Sequence, residues 1–275
     1  MGYNLRYYKE KSMLSKKSPF ICLFLLLISP LFAEEGFIAK RKQLKPYYDN
    51  ENIVIIASPG RSGSTLLFDV SKKYCTHQTV LKTHLLPPDE KFKGKILFIF
   101  SNPDQAAESA LHRITHSPTQ GRTHFSHVES SDKKWFKAIG NNGNHQTKEK
   151  NLLAYDALGC EKQLEEWLHT KSQACCLQEA QILAIKFEYM WEAETIQAIQ
   201  EFLQINAFEF PPKKERGYEK EELSNLEISL KKIYNLGTDE NPIYRAYDAA
   251  RDLWEKAPPF QFLKPGTPFE STFPG

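Results

Sequence analysis

Short apolar runs alternate along the chain with longer stretches in which apolar residues recur every three or four positions. Ile53 to Ile56, Thr79 to His84, Ile96 to Phe100 and Ile182 to Phe187 read as strands. Brief runs of this kind, bounded by turn residues, fit strands covered on both faces. Leu66, Leu67, Val70 and Tyr74 recur at helical spacing, and further helices are expected from about Asp104 to His116, over 152–168 and from Thr195 to Leu203. The helix over 152–168 would be amphipathic and contain Tyr155, Leu158, Leu164, Trp167 and Leu168; the later one would carry Ile196, Ile199, Phe202 and Leu203 on one face. Two more helical patterns lie at about 220–234 and 241–255. Strands alternating with helices predict an α/β domain in three layers, a parallel sheet with flanking helices and sites at the strand C-termini.

The breaks are informative too. Pro87 and Pro88 forbid continuation of the second strand, while Pro103 stands where a helix tolerates it, at its entry. Between 117 and 150 the periodicity fails. Gly121, Ser130, Ser131, Gly140 and the Asn141-Asn142-Gly143-Asn144 cluster mark a loop-rich insertion. Only Trp135, Phe136 and Ile139 could anchor a short helix there, and a loop of that length reads as a lid or binding loop. Residues 34–50 read as a polar lead-in, and the chain closes on a Pro- and Phe-rich tail.

Composition adds limits. The 275 residues suit one domain plus a leader, and 41% hydrophobic residues suffice for a core. A net charge of +2 gives no whole-protein case for nucleic acid or acidic membranes, so any basic site is local. Lys9, Lys11, Lys16 and Lys17 precede an apolar run from Phe20 to Ile28, and Ala33 precedes Glu34-Glu35. Basic, apolar and then small residues describe a secretory signal peptide over 1–33, or alternatively an uncleaved signal anchor, with Met13 as a possible start. The expectation is a single domain over 34–275, exported, touching membrane only through the leader. Cys75, Cys160, Cys175 and Cys176 would remain, as disulfides or as buried thiols.

The first strand runs directly into Ser58-Pro59-Gly60-Arg61-Ser62-Gly63-Ser64-Thr65 and then into a helix. Strand, small-residue loop and helix make a phosphate cradle. Gly60 and Gly63 let the backbone turn its N–H groups toward an anion, the helix starting near Ser64 adds free N–H groups and a positive dipole end, and Arg61 adds a full charge. The Walker A pattern is absent: the glycines are too close, and no Lys precedes Ser64. That disfavours a nucleotide kinase. The bland alternative is a Gly/Ser turn before a core helix.

The loop resembles the 5′-phosphosulfate-binding loop of sulfotransferases, through Pro59, Arg61, Ser62, Gly63, Ser64 and Thr65. Three more segments carry the resemblance, in the family's order. Lys82-Thr83-His84-Leu85 is similar to the family's Lys-Thr-His-Leu. Phe98 to Ser109 looks like its 3′-phosphate motif through Asn102, Pro103 and Ser109, but with Ser101 in place of the expected Arg. Leu183 to Met190 resembles its late strand and turn, with Phe187 and Glu188 in the Tyr and Glu places. The resemblance implies a P-loop-like sulfotransferase architecture and 3′-phosphoadenosine 5′-phosphosulfate as sulfuryl donor to a hydroxyl acceptor, a carbohydrate or a small alcohol or phenol. It implies a donor site at Gly60, Arg61, Ser62, Gly63, Ser64, Thr65, Ser101 and Ser109. Catalysis would fall to His84 as general base with Lys82 and Arg61 assisting, and without a metal.

The residue types suit that chemistry. Sulfuryl transfer passes through a loose transition state, so catalysis is positioning plus charge stabilisation. Imidazole titrates where a general base works near neutrality. Ser101 offers one neutral hydrogen bond where Arg would pair bidentately, and Arg113 or Arg216 could stand in. Ser101 and the leader favour a second reading, a non-catalytic exported binding or interaction protein on the same fold. His112, His116, His124 and His127 could ligate a metal, but no Cys or acid pattern completes the set.

Overall fold

Every side chain of the apolar run Ile53–Ala57 is buried, and the run forms an interior strand of a six-stranded sheet. The computed structural model describes residues 36–138, 152, 155–169, 181–213 and 245–263. The strands are β1 (Phe37–Ile38), β2 (Ile53–Ala57), β3 (Thr79–Thr83), β4 (Lys95–Phe100), β5 (Ile182–Lys186) and β6 (Phe260–Leu263), in the spatial order β1-β3-β2-β4-β5-β6. The first five pair in parallel and β6 closes the edge antiparallel to β5. The helices are α1 (Arg41–Leu44), α2 (Ser64–Tyr74), α3 (Pro103–His116), α4 (Pro118–Ser126), α5 (Lys133–Ala138), α6 (Cys160–His169), α7 (Ala193–Leu203) and α8 (Asp248–Lys256).

Alternation along β2 divides the core in two. Ile53, Ile55 and Ala57 join one apolar cluster with Leu111 and Ile114 of α3, Leu164 and Trp167 of α6 and Ala250 of α8. Val54 and Ile56 join the other, with Leu67, Phe68 and Val70 of α2 and Ala198, Ile199 and Phe202 of α7. A sheet buried on both faces needs the near-continuous apolar runs seen in its strands. The architecture is therefore three layers around a mostly parallel sheet.

Sheet order places the site. From β2 the chain goes to β3 on one side, then crosses to β4 on the other. The order reverses at β2, so its C-terminal loop opens at a topological switch point, flanked by the ends of β3 and β4.

Four expectations need correction. The insertion after α3 is not loop alone: α4 is a helix, and α5 holds the anticipated Trp135 and Phe136. Gly121 lies where a Cβ would stand 2.9 Å from Ile114, so α4 owes its glycine to close packing on α3. The helix expected over 152–168 starts only at Cys160. Gly159 has φ +67° with Ser130 O where a Cβ would be, and Asp156 accepts from the N–H groups of Cys160 and Glu161 at 2.9 and 3.1 Å. That carboxylate caps α6 and stops the helix from extending backward. The lead-in contributes β1 and α1, and the tail contributes β6. The pattern at 220–234 lies outside the described residues, as does the leader; that at 241–255 is described from Arg245, where a 3₁₀ turn leads into α8. Cys75 and Cys160 are buried free thiols. No helix among the described residues is long and apolar enough to cross a membrane.

Candidate functional site

The loop between β2 and α2 has unusual backbone geometry. Gly60, Arg61 and Gly63 have φ of +92°, +57° and +77°. The left-handed conformation costs an Arg about 1–2 kcal/mol relative to Gly. Strain of this kind clusters where a loop is held in one shape for use. Gly63 is required twice over, since a Cβ there would stand 2.3 Å from the Phe187 ring. The Gly60 N–H donates to Ser58 Oγ at 3.3 Å, and the mix of left- and right-handed residues that follows is the backbone from which anion-binding concavities are made.

α2 begins on that concavity. Its N-cap is Gly63, which has no side chain to accept from the first turn, and that turn contains no acidic residue. α3 is finished differently: Asn102 Oδ1 accepts from the N–H groups of Asp104 and Gln105 at 2.9 and 3.3 Å, and Asp104 adds a negative charge. The positive end of α3 is satisfied by its own residues. That of α2 retains N–H groups for an external acceptor.

The motif residues meet on the loop through side chains. Arg61 Nε donates to Ser109 Oγ at 2.9 Å. Ser101 Oγ donates to Ser62 Oγ at 3.2 Å, and Ser62 Oγ lies 3.1 Å from Gly60 O. Lys82 Nζ donates to Thr65 Oγ1 at 3.2 Å. His84 Nδ1 lies 3.0 Å from Ser58 O and 3.1 Å from Ser58 Oγ. The segments around Lys82 and Ser101 thus each place two residues on one loop, and Phe187 of the third packs on Gly63. Ser64, the first residue of α2, is buried beside them.

Burial sharpens the roles open to these groups. Lys82 is only 3% exposed, with its ammonium 5.6 Å from the centroids of both Phe37 and Phe68. Those aromatic faces hold a desolvated cation in place. His84 is 1% exposed, deeper than a residue at an open strand end. The Ser58 carbonyl can only accept, so it places the proton on Nδ1 and leaves the lone pair of the neutral ring on Nε2.

A second imidazole, absent from the motif set, stands against the first. His124 of α4 lies 5.1 Å from His84 between ring centroids, edge to face. A Cβ on Gly60 would be 4.0 Å from His124 Nε2. Burial pushes the His124 pKa down to about 3, helped by His84, Arg61, Lys82 and His127. The only signal in the sequence was a run of spaced histidines, which cannot say which of them the fold turns toward the loop.

Other candidates fall elsewhere. Arg113 is exposed and donates to Gln120 Oε1 at 2.8 Å; Arg216 lies outside the described residues. Glu188 Oε1 accepts from the Asn102 N–H at 2.9 Å, tying the end of β5 to the start of α3. The His112 and His116 rings stack 4.0 Å apart, and no group of three metal-ligating side chains occurs among the described residues. What gathers at the loop is a set of donors and cations without a carboxylate in the loop itself. Such a set is chemically suited to an oxyanion.

No family model and no curated protein matches the chain. Among solved structures it is similar to mouse sulfotransferase SULT7A1 complexed with PAP, at 12% identity, over 78% of this chain and 91% of that one, with a TM-score of 0.37. That likeness is loose, and the reading of the site rests on its own residues.

Proposed function

We propose that this protein transfers a sulfuryl group from 3′-phosphoadenosine 5′-phosphosulfate to a hydroxyl acceptor. The observation that carries the reading is the convergence of the motif residues on one loop: Ser109 on Arg61, Ser101 on Ser62, Lys82 on Thr65 and His84 on Ser58. The residues present fit a phosphosulfate. Gly60 leaves room on the loop, Gly63 lets the chain turn beneath Phe187, and α2 keeps its first-turn N–H groups uncapped. The donor supplies the activated sulfuryl group. Loop N–H groups, Thr65 and Lys82 hold the 5′ end and its developing charge. Ser109 and Arg61 together offer the 3′-phosphate the cation that Ser101 lacks. Nε2 of His84 takes the acceptor's proton.

Two observations favour the second reading, a binding protein without turnover. Ser101 is buried and spends its hydroxyl on Ser62, and His84 has little exposure. The two readings separate in one assay: release of adenosine 3′,5′-bisphosphate from the donor with phenols, alcohols and sugars supplied as acceptors. Acceptor-dependent release supports transfer; tight binding without release supports the binding protein. Export through the leader is part of the proposal, and a mature N-terminus near Glu34 in an exporting host is its check.

A further inference from the structure

α4 carries a nitrogen to the loop that none of the motifs assigned. His124 Nε2 is buried and lacks a hydrogen-bond partner among the described residues. A buried polar atom left so costs stability, and beside a loop built for an anion a bound oxygen is the partner that would offset the cost. The atom sits over Gly60, in room that any other residue's Cβ would narrow.

The placement is built by the core. Val128 touches the same space, its Cγ2 standing 3.4 Å from a Cβ on Gly60. The carbonyls of Phe125 and Val128 accept from the Ser131 hydroxyl at 2.9 and 2.7 Å, and Phe125 is fully buried. Glu129 N–H and Gln163 Nε2 both donate to His84 O, at 3.0 and 3.1 Å. The segment 124–131 is therefore pinned to the strand end that bears His84, and the two imidazoles are positioned as a pair.

We infer that His124 is a ligand-contacting residue of this site, its Nε2–H donating to an oxygen of the anion held over Gly60. The inference rests on reading the loop as an oxyanion cradle. Burial and the neighbouring His84, Arg61, Lys82 and His127 disfavour a second proton on the ring, so the donor is a neutral imidazole. The group joins the backbone N–H groups of the loop and Lys82 of β3, while Arg61 turns away toward Ser109. The anion is either the phosphosulfate end of a nucleotide or free sulfate.

The test uses the full chain labelled with ¹⁵N, its imidazole resonances recorded during titration with adenosine 3′,5′-bisphosphate and, separately, with inorganic sulfate. The expected result is a shift of the His124 Nε2 signal as the bisphosphate saturates. Binding should weaken about 10- to 100-fold in His124→Phe, the loss for a hydrogen bond to a charged group, with partial recovery in His124→Gln. Should His124→Phe fail to fold, the parent's Nε2 signal decides. Saturation with that signal unmoved, or parent-like affinity in a folded His124→Phe, overturns the inference. A response to sulfate alone keeps the role of His124 and removes the nucleotide reading. No response to either probe overturns both.

Discussion

Arg61 Nε donates to Ser109 Oγ at 2.9 Å, joining the left-handed residue of the loop to the second turn of α3. One bond fixes two things. It orients the guanidinium toward β4 and α3 rather than along α2, and it helps hold a backbone conformation that Arg adopts only at a cost. It also explains how a chain with Ser at 101 keeps a cation beside Ser109.

Ser101→Arg should therefore fail to improve the site. Ser101 is 3% exposed, so a larger side chain overpacks its surroundings at about 1–3 kcal/mol. It also brings a second guanidinium to a loop that already has Arg61 and Lys82. Calorimetry should find bisphosphate affinity flat or weaker than in the parent. Tighter binding, strongest at low salt, would show that the 3′-phosphate position lacks its cation.

Gly63→Ala should destabilise the protein by about 2–4 kcal/mol, summing left-handed strain and overpacking against Phe187. Phe187→Ala in the same chain should recover the packing part but not the backbone part. Denaturant unfolding of the two single variants and the double variant measures the coupling. Strict additivity would show that the ring does not press on the loop.

His124 makes stability depend on acid. Its folded pKa, about 3, lies below the 6.5 of the free side chain, so the unfolded chain binds the extra proton first. Stability is complete above about pH 6.5 and falls as pH drops toward 3, by at most about 1.4 kcal/mol per pH unit from this group. His127, lowered chiefly by burial, acts in the same sense. His124→Gln should flatten the decline between pH 6 and 4. An unchanged slope would place His124 in solvent.

His84→Ala should lower sulfuryl transfer by about 10²–10⁴-fold, as for loss of a general base, and leave bisphosphate affinity near the parent's. Loss of both would assign the ring to holding Ser58. Transfer at the parent rate would move the base elsewhere, Glu108 and Glu188 being next to test.

β2, β3, β4 and β5 were legible as short apolar runs buried on both faces, and α2, α3 and α7 because their apolar residues recur at helical spacing. α4 was not. Its sequence, Pro118 to Ser126, is polar with a central Gly, and it buries mainly Gly121 and Phe125. A helix made by docking on Ile114 leaves little periodic trace. Tyr155, Leu158, Leu164, Trp167 and Leu168 suggested a helix from 152, but the cap of Asp156 with the turn at Gly159 confines it to the residues from Cys160. β6 hid in a Pro-rich tail because an edge strand needs no alternating pattern to pair with β5. The loop itself was readable from two glycines and their spacing. The pairings Arg61–Ser109 and His84–His124 depend on the crossing from β3 over β2 to β4, which no local pattern encodes.

The central claim is that the loop and its partners form one site for a 3′-phosphorylated nucleotide, with Arg61 serving the 3′ end. Calorimetric titration of the parent and of Arg61→Ala with adenosine 3′,5′-bisphosphate and with adenosine 5′-phosphate tests it most directly. The parent should prefer the bisphosphate, and in folded Arg61→Ala that preference should collapse, with about 1.5–3 kcal/mol of bisphosphate affinity lost. Absence of binding, equal affinity for the two nucleotides, or a preference that survives in Arg61→Ala would contradict it.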